Sequence, residues 1–238
     1  MPKRYWYVII VYLIMQLSTY PAALLIAAFF PEHYVQLNIY WLIFSFSLAL
    51  VIVLLLMRPD MKMPAHRDAA TTSGIILWSI LGVFLAYFAQ VFAASIEMYL
   101  LDIEPGSENT MAIMEIARMN AFFIFIPAII APILEEIIFR KIIFGSLYKR
   151  MNFFFAALLS AFIFAVVHLD FEHLLIYIAM GFVFAFLYVK TKRILVPILV
   201  HAGMNSLVVF IQYNLDPEDI EKMLEQLEQM QTVLIGLI

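Results

Sequence analysis

Two adjacent carboxylates lie in the middle of a strongly apolar segment, PILEEIIFRK at residues 132–141. Arg140 follows Glu136 by four residues, which is the spacing and order of a favourable helical ion pair. One arginine neutralises only one carboxylate, so the second must be protonated, have another partner or face a water-filled cavity. We therefore interpret Glu135, Glu136 and Arg140 as a functional group of residues rather than as a purely structural ion pair.

Three further polar residues interrupt the apolar segments that follow. His168 ends the stretch FAVVH, and His201 and Asn205 are four residues apart in HAGMN, so they share a helix face. Taken singly, each has an ordinary interpretation as an interfacial histidine or as a polar contact between membrane helices. Together with two carboxylates and a guanidinium they predict one shared polar cavity, because ionisable residues at bilayer depth are costly unless they are paired or face water.

This set of side chains suits hydrolysis. A carboxylate can take a proton from water, an imidazole can shuttle that proton or polarise the water, and an amide and a second imidazole can donate to an oxyanion. The chain has no cysteine, no H-E-x-x-H and no G-x-S-x-G. Zinc accepts nitrogen and oxygen ligands, so Glu135, His168 and His201 remain candidate metal ligands and zinc remains a candidate cofactor.

The composition predicts an all-α polytopic membrane protein. Hydrophobic residues make up 65% of the 238 residues and charged residues only 13%, against roughly a quarter in soluble domains. About seven runs are long enough to cross the hydrocarbon core of a bilayer. They are residues 5–30, 38–57, 73–96, 120–148, 153–169, 174–189 and 194–213.

Two stretches are predicted to form amphipathic helices, residues 107–119 and the acidic segment 216–234. We therefore predict N-terminal transmembrane helices over 1–106, a catalytic membrane domain over 107–214 and an amphipathic C-terminal helix over 215–238.

Charge alternates from loop to loop along the chain. The basic loops contain Lys3 and Arg4, then Arg58, Lys62 and Arg67, then Lys149 and Arg150, then Lys190, Lys192 and Arg193. The loops between them are acidic. Because Lys and Arg favour the cytoplasmic side, we predict a multi-pass protein of the cell membrane with its N-terminus in the cytoplasm and its C-terminus outside.

The three motifs together resemble the CPBP intramembrane proteases, which include the CAAX prenyl proteases and the bacterial Abi proteins. That family has E-E-x-x-x-R, then F-x-x-x-H, then H-x-x-x-N, and here these are Glu135 to Arg140, Phe164 to His168, and His201 to Asn205. The resemblance covers about residues 118–210. One departure precedes the last motif, where many members have Thr-Gly and this chain has Thr191-Lys192, so a different turn geometry is expected.

The resemblance implies a role for each matching residue. Glu135 corresponds to the general base, His168 to the residue that holds its water, and His201 and Asn205 to the oxyanion donors. Glu136 and Arg140 correspond to supports of the first carboxylate.

The implied substrate is a membrane-associated peptide or protein, and no nucleic-acid partner is expected. The alternative is a non-catalytic binding or immunity protein, or a small-solute carrier, that uses the same cavity. The sequence leaves the metal requirement and the oligomeric state open.

Overall fold

The computed structural model describes residues 1–64, 66–104 and 106–214, without the side chain of Glu108, and every regular element in these ranges is helical. In chain order the helices are α1 (Lys3–Phe29), α2 (Tyr34–Met61), α3 (Thr72–Leu101), α4 (Glu108–Met119), α5 (Ala121–Leu147), α6 (Phe153–Val167), α7 (Leu174–Thr191) and α8 (Leu195–Asn214).

The predicted fold class, a polytopic helical membrane bundle, is confirmed. Within the described part of the chain, six helices are long and apolar enough to cross a membrane, and α6 is a shorter apolar helix of 15 residues. At 1.5 Å per residue α6 is about 22 Å long, less than the roughly 30 Å of a hydrocarbon core. The predicted fifth span is therefore shorter than the other apolar helices.

The predicted amphipathic helix before the fourth span is confirmed as α4, for which Ser107 is the N-cap and accepts a hydrogen bond from the Thr110 N–H. The predicted C-terminal helix over 216–234 lies outside the described residues. The division into three regions stays a prediction.

The basic ends of the helices meet at one end of the bundle. Arg4 at the start of α1 forms an ion pair of 2.7 Å with Asp60 near the end of α2. After α7, Lys192 lies 3.0 Å from Asp68 of the loop that precedes α3. The Lys192 backbone has φ of 53°, the left-handed conformation that glycine adopts most readily. Lys192 therefore adopts the backbone conformation that a glycine would favour at this turn, although it is a lysine.

Helix α5 is the most buried of these long apolar helices. Half of the residues in its most apolar stretch are buried inside the protein, against 11% in α1. Its winding is irregular: a 3₁₀ turn at Ala121–Ile124, a π-helical turn at Ile126–Ile130, an α-helical turn at Ala131–Glu135 and a π-helical segment at Glu136–Phe144. Wide π turns inside helices are frequent at functional sites.

Helices α6 and α7 pack against each other and against α5 at a point of very close approach. A Cβ atom added to Gly181 of α7 would lie 2.4 Å from the Ala161 Cβ of α6. Ala161 is 1% exposed. Glycine is thus required here for the two helices to come together beside α5.

Candidate active site

The two adjacent glutamates of α5 face different surroundings. Glu135 ends the α-helical turn and lines a cavity, whereas Glu136 begins the π-helical segment and is fully buried. Adjacent helical side chains point about 100° apart, so only one of the two reaches the cavity. The pair therefore consists of one accessible carboxylate and one enclosed carboxylate.

The enclosed Glu136 has a positively charged partner on its own helix. Its Oε2 lies 3.3 Å from Nε of Arg140, so the ion pair expected from the spacing is present. Arg140 is 1% exposed, and its Cζ lies 4.4 Å from the centroid of the Phe164 ring and 5.1 Å from that of Phe184. Its guanidinium makes no hydrogen bond within the described residues. Coulomb attraction and the two ring faces hold the guanidinium in place.

His201 of α8 connects the two glutamates. Its Nδ1 lies 2.9 Å from Oε1 of Glu136, and its Nε2 lies 3.7 Å from Oε2 of Glu135. A carboxylate only accepts hydrogen bonds, so Nδ1 carries a proton that it donates to Glu136. The imidazole also stacks on Phe184 at a centroid distance of 4.8 Å. The orientation of the ring is thereby fixed, with the Nδ1–H on Glu136 and Nε2 directed to Glu135.

His168 lies on the same cavity, directly after the short helix α6. Its Nδ1 donates to the carbonyl of Phe164 at 2.8 Å, because a carbonyl can only accept. Its ring contacts those of Phe164 and Tyr177, each at a centroid distance of 4.4 Å. In the neutral ring Nε2 is then an acceptor for which the described residues offer no donor, and this is the group that can hold a water molecule.

Asn205 ties α8 to the irregular part of α5. Its Nδ2 donates to the carbonyl of Pro127 at 2.9 Å, and the Ser206 hydroxyl lies 3.4 Å from the carbonyl of Ala128. In a π-helix the carbonyl of Pro127 would accept a hydrogen bond from the N–H of residue 132, and in an α-helix the carbonyl of Ala128 would do so. Residue 132 is a proline and has no N–H. Asn205 thus satisfies a carbonyl that proline leaves unpaired, and it keeps one amide hydrogen for the cavity.

The structure brings Glu135, Glu136, Arg140 and His201 into direct contact, and it places His168 and Asn205 on the wall of the same cavity, whose volume is about 930 Å³. Glu136 and Arg140 do not line it. Four of the six predicted site residues therefore line one cavity, and Glu136 and Arg140 are buried beside it.

Sequence reasoning missed that α1 closes one side of this cavity. Tyr12 lines it, is 3% exposed and lies close enough to Glu135 for the two side chains to interact electrostatically. The Tyr12 hydroxyl accepts a hydrogen bond from Gln16 at 3.1 Å, and among the described residues nothing accepts its proton. The signal was a tyrosine and a glutamine four residues apart on an otherwise apolar helix.

It also missed a second buried carboxylate, because the predicted third span stopped at residue 96 and left Glu97 in a loop. Glu97 is 2% exposed and lies inside α3. Its Oε1 accepts from the backbone N–H groups of Leu175 and Ile176 at 3.0 and 3.2 Å, and its Oε2 lies 3.0 Å from Nδ1 of His173. Glu97 therefore caps the N-terminus of α7 from another helix.

The environment of His173 favours its protonated form. Burial lowers the pKa of this imidazole, but the hydrogen bond to Glu97 and the charges of Asp170 and Glu97 together outweigh burial and raise the pKa above its usual value. Asp170 also accepts a hydrogen bond from the Ser107 hydroxyl at 2.7 Å. Glu97, His173, Asp170 and Ser107 thus form a connected network of ions and hydrogen bonds.

The candidate zinc ligands do not converge on one point among the described residues. Zinc needs nitrogen and oxygen donors that converge at about 2.0–2.3 Å, and the described residues contain no group of three or more His, Asp or Glu side chains placed to hold a metal ion. His201 and His168 each donate Nδ1–H to a protein acceptor, which leaves their Nε2 atoms as the groups that could face a ligand. Zinc as a cofactor stays a prediction.

A helical membrane bundle whose cavity is lined by a carboxylate, two imidazoles and an amide has the side chains expected of a membrane-embedded hydrolase. Comparison with known proteins specifies that class. Residues 117–207 match the family described as Type II CAAX prenyl endopeptidase Rce1-like.

Two curated relatives extend the comparison beyond that segment. A Bacillus subtilis (strain 168) protein named membrane peptidase YdiL is 45% identical over 246 residues, which cover 100% of this chain and 99% of the relative. The membrane-embedded CAAX protease MroQ of Staphylococcus aureus (strain USA300) is 39% identical over 158 residues, 64% of each chain. No solved structure matches the chain. The chain belongs to this family of Rce1-like membrane proteases, which confirms the resemblance drawn from the three motifs.

Proposed function

We propose that the chain is an intramembrane endopeptidase in which Glu135 activates a water molecule that attacks a peptide bond. The observation that carries the proposal is the asymmetry of the glutamate pair: Glu135 opens to the cavity, while Glu136 is enclosed between Arg140 and His201. A carboxylate that both borders a water-accessible space and lies beside a fixed imidazole has the position of a general base.

The chain's own residues account for each proton. Water donates one hydrogen bond to the Nε2 of His168 and loses its other proton to Glu135 as its oxygen bonds to the carbonyl carbon. The tetrahedral intermediate then collapses, the carbon–nitrogen bond breaks, and Glu135 returns the proton to the leaving nitrogen. The products are one new carboxyl group and one new amine, so atoms and charge balance.

The oxyanion of this intermediate would be stabilised from α8. Protonated His201 donates from Nε2, and Asn205 donates the amide hydrogen that Pro127 does not use. Glu136 stabilises the imidazolium through Nδ1, in the way that a buried carboxylate orients a catalytic histidine. Donors fixed in place before the reaction are the largest single contribution in many hydrolytic sites.

The test uses purified protein in liposomes with a library of membrane-associated peptides. We expect cleavage by the wild type and by Glu32→Gln, which alters an exposed carboxylate outside the cavity. Glu135→Ala and His168→Ala should abolish cleavage while their thermal midpoints stay near that of the wild type. Cleavage retained in either variant would remove the assignment of that residue.

A metal requirement is tested in the same assay. Treatment with a chelator followed by re-addition of zinc should leave the cleavage rate unchanged if Glu135 acts on water alone. Loss of activity with chelator and recovery with zinc would instead assign Glu135, His168 and His201 to a metal-bound water.

We also propose that the N-terminus lies in the cytoplasm and the C-terminus outside. The clustering of basic loops at one end of the bundle supports this orientation. Because the chain has no cysteine, single cysteines can report it. In intact cells a membrane-impermeant maleimide should label Glu172→Cys and not Asp68→Cys. The reverse pattern would invert the topology.

A further inference from the structure

Two glutamines of long membrane helices line the cavity. Gln16 is at the centre of α1, and Gln90 precedes Glu97 by two helical turns on α3. The usual structural role of an amide inside a membrane is a hydrogen bond to another helix. Within the described residues Gln16 bonds only to Tyr12 of its own helix, and the side chain of Gln90 makes no hydrogen bond. The two amides therefore do not hold the described helices together.

Both amides keep hydrogen-bonding groups for an occupant of the cavity. Nε2 of Gln16 donates to the Tyr12 hydroxyl at 3.1 Å, which leaves its second N–H and its Oε1. Among the described residues nothing donates to that oxygen or contacts either group of the Gln90 amide. Each side chain thus offers at least one donor and one acceptor. A polar side chain at bilayer depth without a partner in the protein indicates a functional role.

The two glutamines approach the cavity from separate walls. Helix α1 packs mainly against α2, whereas α3 packs against α7 and α8. An occupant between these walls meets an amide on each of them. Tyr12, to which Gln16 donates, lies close enough to Glu135 for an electrostatic interaction. An occupant held by Gln16 is therefore also beside the carboxylate that activates water.

The ligand that matches a neutral amide is the backbone of a peptide. A peptide bond that is open to attack is not part of a regular helix, so its neighbouring N–H and C=O groups need other partners at bilayer depth. A glutamine side chain accepts from the first group and donates to the second, whatever side chains the peptide carries. An acyl chain of a lipid has neither group and would leave both amides unpaired.

We propose that Gln16 and Gln90 bind the backbone of the substrate next to the scissile bond, as hydrogen-bond partners for its extended segment. The inference rests on the proposed peptidase function and names two substrate-binding residues for it. Both residues lie outside residues 117–207, the segment that matches the family. Part of the substrate site is thus built from the N-terminal helices α1 and α3.

The test compares two water-soluble peptides of Ala, Leu and Ser with one sequence, an N-terminal fluorophore and a C-terminal carboxamide. In the second peptide esters replace alternate backbone amides, which removes N–H groups and leaves the side chains unchanged. Binding in detergent micelles is measured by fluorescence anisotropy against empty micelles, and every protein carries Glu135→Ala so that the peptides stay intact. We expect the all-amide peptide to bind about 10-fold more tightly, the effect of losing two hydrogen bonds. Equal affinities, or no binding of either peptide, would overturn the proposal.

Substitutions assign this preference to the two amides. Methionine has a similar length and no amide, so the double variant Gln16→Met/Gln90→Met should bind the all-amide peptide about 10-fold more weakly and treat the two peptides alike. Gln36→Met is the matched control, because it removes an exposed glutamine of α2 outside the cavity, and it should keep the full preference. If the double variant does not fold, each single variant should show a reduced preference. A preference that stays unchanged in the folded variants would contradict the proposal.

Stability distinguishes a binding role for Gln90 from a structural one. Gln90→Met removes no contact that the described residues make, so its thermal midpoint should equal that of the wild type or exceed it. A clear fall in the midpoint would assign Gln90 to the packing of the fold and overturn its binding role.

Cleavage is measured separately, with Glu135 intact. Gln90→Met should raise KM with little change in kcat, because it removes binding that the substrate and the transition state share. A protein that discriminates between the peptides but cleaves nothing would refute the peptidase function alone. Cleavage of membrane-associated peptides, with both substitutions leaving the preference for the all-amide peptide unchanged, would refute the inference alone.

Discussion

Gly181→Ala tests the packing that holds the buried guanidinium of Arg140. The new Cβ would lie 2.4 Å from the Cβ of Ala161 and 2.9 Å from its Cα. The obstructing atoms belong to an alanine and its backbone, so no side-chain rotation relieves the clash and the α6 and α7 helices must separate. Overpacking of this kind costs about 1–3 kcal/mol, offset by the roughly 1 kcal/mol that alanine gains over glycine in a helix.

The matched control is Gly203→Ala in α8. There the nearest neighbour of a new Cβ is Val83 Cγ2 at 3.8 Å, an ordinary contact. We expect this variant to be as stable as the wild type or more stable by up to about 1 kcal/mol. Unfolding of both variants is measured in detergent in two ways, by thermal denaturation and by reversible unfolding in increasing concentrations of a chaotrope.

Activity separates the effect on the site from the effect on stability. Phe164 of α6 and Phe184 of α7 lie against the Arg140 guanidinium, so separating these helices should loosen the support of Glu136. We expect Gly181→Ala to lose cleavage activity at temperatures where it is still folded, and Gly203→Ala to keep its activity. A Gly181→Ala protein as stable and active as Gly203→Ala would refute the argument that this close approach is required.

Three further predictions follow from single contacts. Arg140→Met leaves Glu136 buried without a cation and should destabilise the fold by about 3–5 kcal/mol, and the double variant with Glu136→Gln should recover part of that loss in the same unfolding assay. Tyr12→Phe removes a hydroxyl whose proton no described residue accepts, so kcat should fall about 10-fold with little change in thermal midpoint, and an unchanged kcat would exclude Tyr12 from the chemistry. Because the pKa of His173 is raised in the folded state, its stabilising contact is complete below the unfolded pKa of about 6.5 and is lost as pH rises through the folded value. The thermal midpoint should thus fall as pH increases above about 6.5, and His173→Gln should lack that slope.

The architecture could be predicted from the sequence because its signals are local. Each apolar run became a helix, and the basic loops met at one end of the bundle. The helix ends were less predictable, since a helix in lipid continues past its apolar run when its polar groups find partners. Glu97 shows this, because its contacts to α7 allow α3 to continue to Leu101.

The candidate site could be predicted only as a list of side chains. Spacing placed Glu136 and Arg140 together, and the motif pattern selected His168, His201 and Asn205. Spacing alone did not tell which glutamate faces the cavity, because that depends on how α5 is wound and on what packs around it. Nor did it find Tyr12, because Tyr12 and Glu135 are far apart in the sequence and come together only in the folded protein.

The charged partners around α5 decide which of its two glutamates is buried. A buried carboxylate is tolerated only with a charge partner, and here Arg140 and His201 provide two contacts to Glu136 from different helices. Those contacts satisfy Glu136, so the adjacent Glu135 is left to the cavity and to water. If the two glutamates were exchanged in role, Glu136→Gln would abolish cleavage with the fold intact while Glu135→Gln would mainly destabilise the protein. We expect the opposite: Glu135→Gln should remove activity at nearly unchanged stability, and Glu136→Gln should lower the thermal midpoint, because it leaves Arg140 without its carboxylate.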